Sequence, residues 1–316
     1  MELKDIIKEI TDQDKPLVNT HLAGLSQATA ADVPSIRAAW RAMELKRRRQ
    51  VITRLVDLAR DSVELTFDPV YKIALLDPDA EVRTAAIDGL WENENPTLIK
   101  TYIRLMESDP SADVQAAAAS ALGKFAVLAE CGQIRHDYGK TLGAALLAII
   151  NDGSRPVEIR RRALESVAPL SLPAAREAIN KAYDSRDERF VISAIYAMGR
   201  TCDEAWLPIL FKEMDNPNAE IRYEAAGALG EIGDESALAR LIEHTRDPDI
   251  EVRLAVVQAL AKIGGKDAKR ALERIGRDPD EAVRQAIEEA ISEIETMEDM
   301  TLMEMDVPGD TDVSHN

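Results

Sequence analysis

The order of apolar and polar positions between residues 215 and 294 is repeated three times. Each copy has a proline-containing turn, then an apolar residue followed by arginine, then apolar positions at helical spacing, as in DPDIEVRLAVVQALAKIG. The turn prolines Pro217, Pro248 and Pro279 are 31 residues apart in each case. A fixed period of this length is typical of stacked-repeat proteins, in which each repeat buries its apolar face against its neighbours.

Weaker copies of the same pattern extend the array towards the N-terminus. We take the first apolar residue of the second helix of each copy as its anchor, and the anchors are Val82, Val114, Ile159, Phe190, Ile221, Val252 and Val283. Positions 4, 7 and 8 after each anchor are apolar or small, which places them on one stripe of an α-helix. The sequence therefore predicts an all-α fold, an α-solenoid (an alpha-alpha superhelix) of about seven helical pairs with an N-terminal helical cap.

Three segments follow from this pattern. We expect an N-terminal helical cap with an Arg-rich helix at 1–67, and a repeat array at 68–297 with an insertion near 126–141. Residues 298–316 form an acidic, Met-containing tail, which we predict to be disordered because it offers little apolar surface to bury. This tail is either a solubilising end or a segment that docks on a partner or on the Arg-rich helix.

Charge and cysteine content limit the classes of partner. The formal net charge is −18, from 57 acidic and 39 basic residues, so the chain repels phosphate backbones and we predict no nucleic-acid partner. The two cysteines, Cys131 and Cys202, show no pairing pattern and fit a reducing compartment. Neither a secretory signal nor a long apolar run is present in the sequence, so we predict a cytoplasmic protein without a membrane partner.

A basic cluster interrupts the acidic composition of the N-terminal segment, on a long helix predicted from Asp32 to Ala59. Its candidate docking residues are Arg41, Lys46, Arg47, Arg48 and Arg49. Two interpretations stay open. The cluster is a docking patch for an acidic partner, or it is a solvated helix face whose aliphatic stems pack on neighbouring residues.

The repeat is similar to HEAT repeats, and specifically to the short HEAT-like repeat of phycobilisome bilin lyases, over residues 68–295. This resemblance implies an armadillo-like helical fold and says little about activity, since such arrays have many roles. It also implies a structural ladder between turn aspartates and second-helix arginines, interrupted at Gln115 and Val191. The implied pairs are Asp77 with Arg83, Asp215 with Arg222, Asp249 with Arg253, and Asp280 with Arg284.

No catalytic, metal or cofactor constellation emerges from the sequence. The histidines are His21, His136, His244 and His315, and none lies in a His-Glu dyad resembling those of the HEAT-repeat di-iron hydroxylases. We interpret four glycines at equivalent helix ends as caps; they are Gly123, Gly199, Gly230 and Gly233. We therefore predict no cofactor and no enzymatic activity.

The resemblance also suggests where a partner binds, because in HEAT-type solenoids the second helices line the concave side. The exposed positions of those helices are mostly polar, with four exceptions: Ile192, Tyr196, Tyr223 and Leu254. They form a binding patch for a protein or peptide, or they are buried by neighbouring helices. We predict a non-enzymatic scaffold or adaptor for a protein or peptide partner, with a bilin-lyase-like chromophore attachment enzyme, or its subunit, as the alternative.

Overall fold

A computed structural model describes residues 2–62, 64–276 and 278–305, the last eight by their backbone alone. Every regular element in these residues is helical, and they contain no strand. Residue contacts divide the chain into two compact units, residues 1–175 and 176–316. The predicted all-α fold is confirmed.

The first unit contains ten complete helices and the start of an eleventh. They are α1 (Leu3–Thr11), α2 (Asn19–Ala23), α3 (Val33–Ala42), α4 (Leu45–Asp61), α5 (Asp68–Ala74), α6 (Ala80–Gly89), α7 (Thr97–Ser108), α8 (Ala112–Glu130), α9 (His136–Asn151), α10 (Val157–Val167) and α11 (Pro173–Tyr183), which continues into the second unit. A short 3-10 helix, Gly24–Gln27, follows α2. The predicted insertion is taken up by α8 and α9, which have 19 and 16 residues.

The second unit has, in each pair, a first helix that is shorter than the second helix. Its remaining α-helices are α12 (Glu188–Arg200), α13 (Leu207–Glu213), α14 (Ala219–Ile232), α15 (Leu238–Glu243), α16 (Ile250–Ile263), α17 (Gly265–Ile275) and α18 (Glu281–Met305). Three 3-10 helices lie beside α13 and α15: Glu204–Trp206, Glu235–Ala237 and His244–Arg246. The backbone of α18 passes Glu298, where we predicted the disordered tail to begin, and the rest of that tail, 306–316, lies outside the described residues.

The seven predicted pairs run from α5/α6 to α17/α18. Within each unit, every second helix packs on the second helix of the next pair: α6 on α8 and α8 on α10 in the first unit, α12 through α18 in the second. All seven anchors are buried, from Val82 to Val283. Burial of each of these side chains contributes roughly 1.5–3 kcal/mol, so the anchor column forms the core of the repeats.

The N-terminal cap is helical as predicted, but the long helix expected from Asp32 is two helices. The chain is extended at Met43 and Glu44, between α3 and α4. These two helices then pack on α5 and α6 as the later pairs pack on one another. The paired arrangement therefore begins before the segment in which the sequence pattern is visible.

The Asp–Arg ladder exists, but the predicted register of its pairs was wrong. Arg83 donates to both carboxylate oxygens of Asp109, at 2.8 and 2.6 Å, and to the main-chain carbonyl of Asp77 at 2.7 Å. Arg222 likewise bonds Asp247 at 2.8 and 2.7 Å and the carbonyl of Asn216 at 2.9 Å. Each arginine thus uses its own turn's carbonyl and the following turn's carboxylate, because a guanidinium has donors for both.

The other predicted ladder residues follow the same correction. Arg253 lies 3.2 Å from Asp278, not Asp249, and Arg284 donates to the carbonyl of Asp278. Asp249 and Asp280 instead accept backbone N–H groups at the starts of α16 and α18. Asp215 pairs with Arg240. These carboxylates serve the helix starts, where backbone N–H groups lack acceptors within the helix, and one neighbouring first helix.

Gln115 does not simply interrupt the ladder. Its amide donates to the carbonyl of Asp109 at 2.6 Å, as an arginine would, and its oxygen accepts from Arg155 at 3.0 Å. The two residues together replace one ladder arginine. Val191, being aliphatic, supplies no donor.

The prediction that four glycines are helix caps was correct only for Gly233, which has a positive φ of 73° at the end of α14. Gly123, Gly199 and Gly230 lie inside their helices. A Cβ on Gly199 would lie 2.6 Å from the Cα of Ala228, and one on Gly230 would lie 2.7 Å from the Cα of Ala259. These glycines allow neighbouring second helices to approach each other closely, which any larger residue would prevent.

Candidate functional site

One second helix ends earlier than the others and leaves a tryptophan exposed. Nine residues after the anchor, six of the seven pairs have a small residue: Gly123, Ala168, Gly199, Gly230, Ala261 and Ser292. The seventh has Trp91, which follows the end of α6 at Gly89 and is 62% exposed. A large aromatic side chain therefore stands where the other repeats bring two helices together.

A cavity of about 700 Å³ lies between α6 and α8 beside Trp91. The remaining lining is mostly small or short side chains, among them Ala80, Thr84, Ala85, Ala117, Ser120 and Ala121. Short side chains on the facing stripes of two helices leave space that no neighbouring group fills. The cavity is thus a direct result of the residue types on α6 and α8.

A second cavity, of about 650 Å³, lies between α4, the segment 65–69 and the end of α6. Tyr71 lines it and packs edge-on against Phe67, with ring centroids 6.2 Å apart. A Cβ on Gly89 would lie 2.5 Å from the Tyr71 ring, so glycine is required there to admit the tyrosine. The aromatic floor of this cavity depends on the same helix end that exposes Trp91.

The hydroxyl of Tyr71 is a buried polar group without a hydrogen-bond partner among the described residues. The side chain is only 1% exposed. Burial, together with the nearby carboxylates of Asp68 and Asp88, raises the pKa of Tyr71 well above its ordinary value. The hydroxyl therefore stays protonated, lies in a negative potential, and has unused capacity to donate and to accept a hydrogen bond.

Asp88 and Trp91 line both cavities, and we refer to the two together as the Trp91 groove. Lys124 of α8 fixes its centre by donating to the carbonyls of Trp91 and Asn93. Burial lowers the pKa of Lys124, although Glu94, Asp68 and Glu92 act in the opposite direction. The segment that carries the tryptophan is thus held in place by the neighbouring repeat.

The ionisable residues that line the groove are predominantly acidic. They are Asp68, Glu81, Asp88, Glu92, Glu94 and Asp113, with Arg60 as the basic member. Arg60 pairs with Asp88 at 2.6 Å, and Arg49 pairs with Glu81 at 2.6 Å. Glu92, Glu94 and Asp113 make no ion pair within the described part of the chain, so the groove keeps a negative charge.

The predicted patch on the second unit is smaller than expected. Ile192 is buried, with 6% exposure, so its inclusion in an exposed patch was wrong; it packs inward from α12. Tyr196 and Tyr223 are 41% and 39% exposed, and Leu254 is half-buried. These three residues lie on α12, α14 and α16, which pack in succession.

Three of the five predicted basic docking residues are bonded to carbonyl or carboxylate groups of the first unit itself. This contradicts the prediction that the five form a docking patch. Arg47 is buried and donates to the carbonyls of Ile10 and Lys15, at 2.8 and 2.9 Å. Arg48 lies 2.8 Å from Asp77, and thereby adds a rung at the start of the ladder.

The third, Arg49, bonds Asp79 at 3.0 and 2.7 Å. Arg41 and Lys46 are exposed. The cluster therefore holds α4 against its neighbours, because three of its positions face carbonyl and carboxylate acceptors of other segments.

Few side chains that could bind a metal or act in catalysis lie close together among the described residues. Among the described side chains, no group of three His, Cys, Asp or Glu residues is placed to hold a metal ion. His21 lies 2.7 Å from Glu9 and connects α2 to α1. Cys131 and Cys202 are exposed, free thiols. Within the described residues, no helix combines the length and apolar character needed to cross a lipid bilayer.

Comparison with known proteins supports the repeat assignment. The family described as HEAT repeats matches residues 67–131 and 207–292, just under half of the chain. No curated protein gives a significant match to the sequence.

Several solved structures are similar to this chain, and those with a TM-score above 0.5 share its fold. The complex of CpcE and CpcF of phycocyanin lyase from Nostoc sp. PCC7120 is 16% identical, with a TM-score of 0.53, over 90% of this chain and 97% of that one. The Kap95:Nup1 complex is 14% identical, with a TM-score of 0.53, over 95% of this chain and 47% of that one. Human deoxyhypusine hydroxylase is 22% identical over 83% of this chain and 95% of that one, with a TM-score of 0.34. The buried anchors, the ladder and the matched segments agree: the chain is an all-α, HEAT-repeat α-solenoid.

Proposed function

We propose that this protein is a non-enzymatic scaffold or adaptor that binds a protein or peptide partner through the Trp91 groove. The observation that carries the proposal is a tryptophan with 62% exposure between two cavities, at a position that is small in the other six pairs. Exposed aromatic side chains beside apolar clefts are typical anchors of protein interfaces.

The groove has the dimensions and composition of a recognition site. Its cavities, about 700 and 650 Å³, lie in the range of sites that bury a ligand's side chains. Their lining combines apolar side chains with polar and mostly acidic ones, so the same site can supply both apolar contact and orientation of a ligand. The Kap95:Nup1 and CpcE–CpcF structures are complexes of two proteins, and folds of this kind can therefore present a surface to a second chain.

Affinity capture from native lysate, compared between matched variants, tests the proposal. Trp91→Ser removes the exposed ring, whereas Leu76→Ser removes a side chain of equal exposure, 63%, from the turn after α5. We expect proteins captured by the wild type and by Leu76→Ser to be lost with Trp91→Ser, as measured by quantitative mass spectrometry. Equal capture by all three proteins would contradict the proposal.

The similarity in fold to the phycocyanin lyase complex favours a second candidate, a bilin-lyase-like enzyme or subunit. Co-expression with a bilin and an acceptor phycobiliprotein distinguishes the two candidates. A chromophore covalently attached to the acceptor, detected by its visible absorbance after denaturation, would support the enzyme and contradict the scaffold.

A further inference from the structure

The two cavities of the Trp91 groove differ in the chemistry of their lining. The cavity between α6 and α8 is lined mainly by small or apolar side chains, including four alanines, Ile87 and Trp91, and its charged members are Glu81, Asp88 and Asp113. The cavity between α4 and α6 has Tyr71, Asp68 and Asn93 among its lining residues. One side of the tryptophan therefore suits an apolar side chain and the other a polar one.

The unpartnered Tyr71 hydroxyl indicates that the second cavity is incomplete by itself. A buried polar group that lacks a hydrogen bond costs about 1–3 kcal/mol, and a ligand group within reach of it recovers that cost. The hydroxyl can accept a hydrogen bond from an ammonium or guanidinium group. Nearby carboxylates favour such a cation. Asp68, which already pairs with Lys72 and accepts from Asn93, lines the same cavity. Glu92 and Glu94 line it too and make no ion pair in the described residues.

Trp91 strengthens the preference for a positively charged ligand. Cations are attracted to the face of an indole ring, and tryptophan is the most effective aromatic residue in this respect. An acidic segment would be repelled by the carboxylates of both cavities. The chain's own acidic tail, 298–316, is therefore a poor occupant, and so is a nucleic acid.

We propose that the Trp91 groove takes a partner segment in which a lysine or arginine stands beside a bulky apolar side chain. The apolar side chain fills the cavity between α6 and α8, and the cation enters the cavity between α4 and α6 against Asp68 and Tyr71. This inference rests on the proposed function, since it specifies the chemistry of the partner at the same groove.

Fluorescence anisotropy with three labelled peptide pools tests the inference on the full-length protein. The first pool combines Lys or Arg with Leu or Phe, the second replaces the basic residues by Glu, and the third replaces the apolar residues by Ser. We expect measurable binding of the first pool only, weakening with added salt because the attraction is electrostatic.

Variants then assign the binding to the groove. Trp91→Ser should weaken the first pool's affinity by about ten-fold or more, as truncation of a central interface aromatic does. Tyr71→Phe keeps the ring and removes the hydroxyl, and should weaken binding by roughly ten-fold, the effect of one charge-assisted hydrogen bond. Leu76→Ser, the control, should leave the affinity unchanged.

The outcomes separate this inference from the proposed function. Equal binding of the basic and acidic pools, lost in Trp91→Ser, overturns the charge preference and leaves the groove as a docking site. Binding that Trp91→Ser and Tyr71→Phe leave unchanged, or no binding of the first pool, overturns the inference, while lysate capture decides the docking function independently.

Discussion

The second helices α6 and α8 of the first unit pack differently from the second helices α14 and α16 of the second unit, although both pairs follow one sequence pattern. We call α6/α8 the open pair and α14/α16 the closed pair. In α14/α16, Gly230 brings the helices so close that an added Cβ would lie 2.7 Å from the Cα of Ala259. In α6/α8 the equivalent position is Trp91, α6 has ended at Gly89, and a cavity of about 700 Å³ remains.

The difference shows that one column of the repeat decides between a closed and an open contact. The anchors of both pairs are fully or almost fully buried, so the core is the same in each. Helix length also differs between the two pairs, since α6, with Trp91 nine residues after its anchor, has 10 residues, and α14, with Gly230 there, has 14. An open surface therefore arises where a repeat departs from the small residue, without loss of the core.

The largest loss of stability is expected when the ladder arginine of the open pair, Arg83, is removed. Arg83→Ala leaves Asp109 buried without its cation, and breaking a buried pair in this way costs about 3–5 kcal/mol. Arg222→Ala should cost less, because the close approach of α14 and α16 at Gly230 also holds those helices together. Urea unfolding measures the loss of stability in both variants.

Arg135→Ala, which removes an exposed pair, is the control and should change stability by less than about 1 kcal/mol. Equal losses for Arg83→Ala and Arg222→Ala would contradict the comparison.

The next largest change in stability is expected at the close helix contact of the closed pair, and two glycines of α14 test it. Gly230→Ala forces α14 away from α16 and should destabilise the protein by roughly 1–3 kcal/mol, the range for overpacking. Gly227→Ala has no atom within 4 Å of the new methyl group, and should stabilise it by about 0.5–1 kcal/mol through helix propensity. Thermal and urea unfolding measure both. A stabilising Gly230→Ala would show that the close approach is not a constraint.

The pH dependence of stability tests the ladder pair of the closed contact, Arg222 with Asp247. Burial opposes ionisation of Asp247, but hydrogen bonds from Arg222 and from the Asp249 N–H prevail and hold the pKa of Asp247 below its ordinary value. Because the folded pKa is the lower one, this stabilisation is complete above about pH 4 and is lost as the pH falls through the folded pKa.

Asp247→Asn should therefore cost about 1 kcal/mol at neutral pH and less below about pH 4. Urea unfolding at a series of pH values measures the difference, with Asp137→Asn, at an exposed pair, as the control. A difference from wild type that does not shrink on acidification would contradict this account of Asp247.

The smallest expected effect on stability belongs to the open pair. Trp91→Ser removes a mostly exposed side chain and should change the free energy of unfolding by no more than about 0.5 kcal/mol. Differential scanning calorimetry measures this, and Leu76→Ser should behave alike. A large loss would mean that Trp91 supports the fold instead of a partner.

The fold was predictable because each anchor requires burial and the period places the anchors in register. The ladder residues were also recognisable, but their register was not, since the reach of Arg83 to Asp109 depends on the spacing of two packed repeats. Likewise, the acceptors of Arg47 and Arg48 come from segments distant in sequence.

The groove was missed for a similar reason. The sequence contains a usable signal, one tryptophan in a column of small residues, but its meaning depends on where α6 ends. The unpartnered Tyr71 hydroxyl and the cavities arise only from packing, which the pattern of single positions does not specify.

The hydrogen bonds from Lys124 to the carbonyls of Trp91 and Asn93 make the geometry of the groove depend on the spacing of two helices. Lys124 belongs to α8, whereas the two carbonyls follow the end of α6. A change in the distance between α6 and α8 therefore moves the backbone that positions the Trp91 ring between its two cavities.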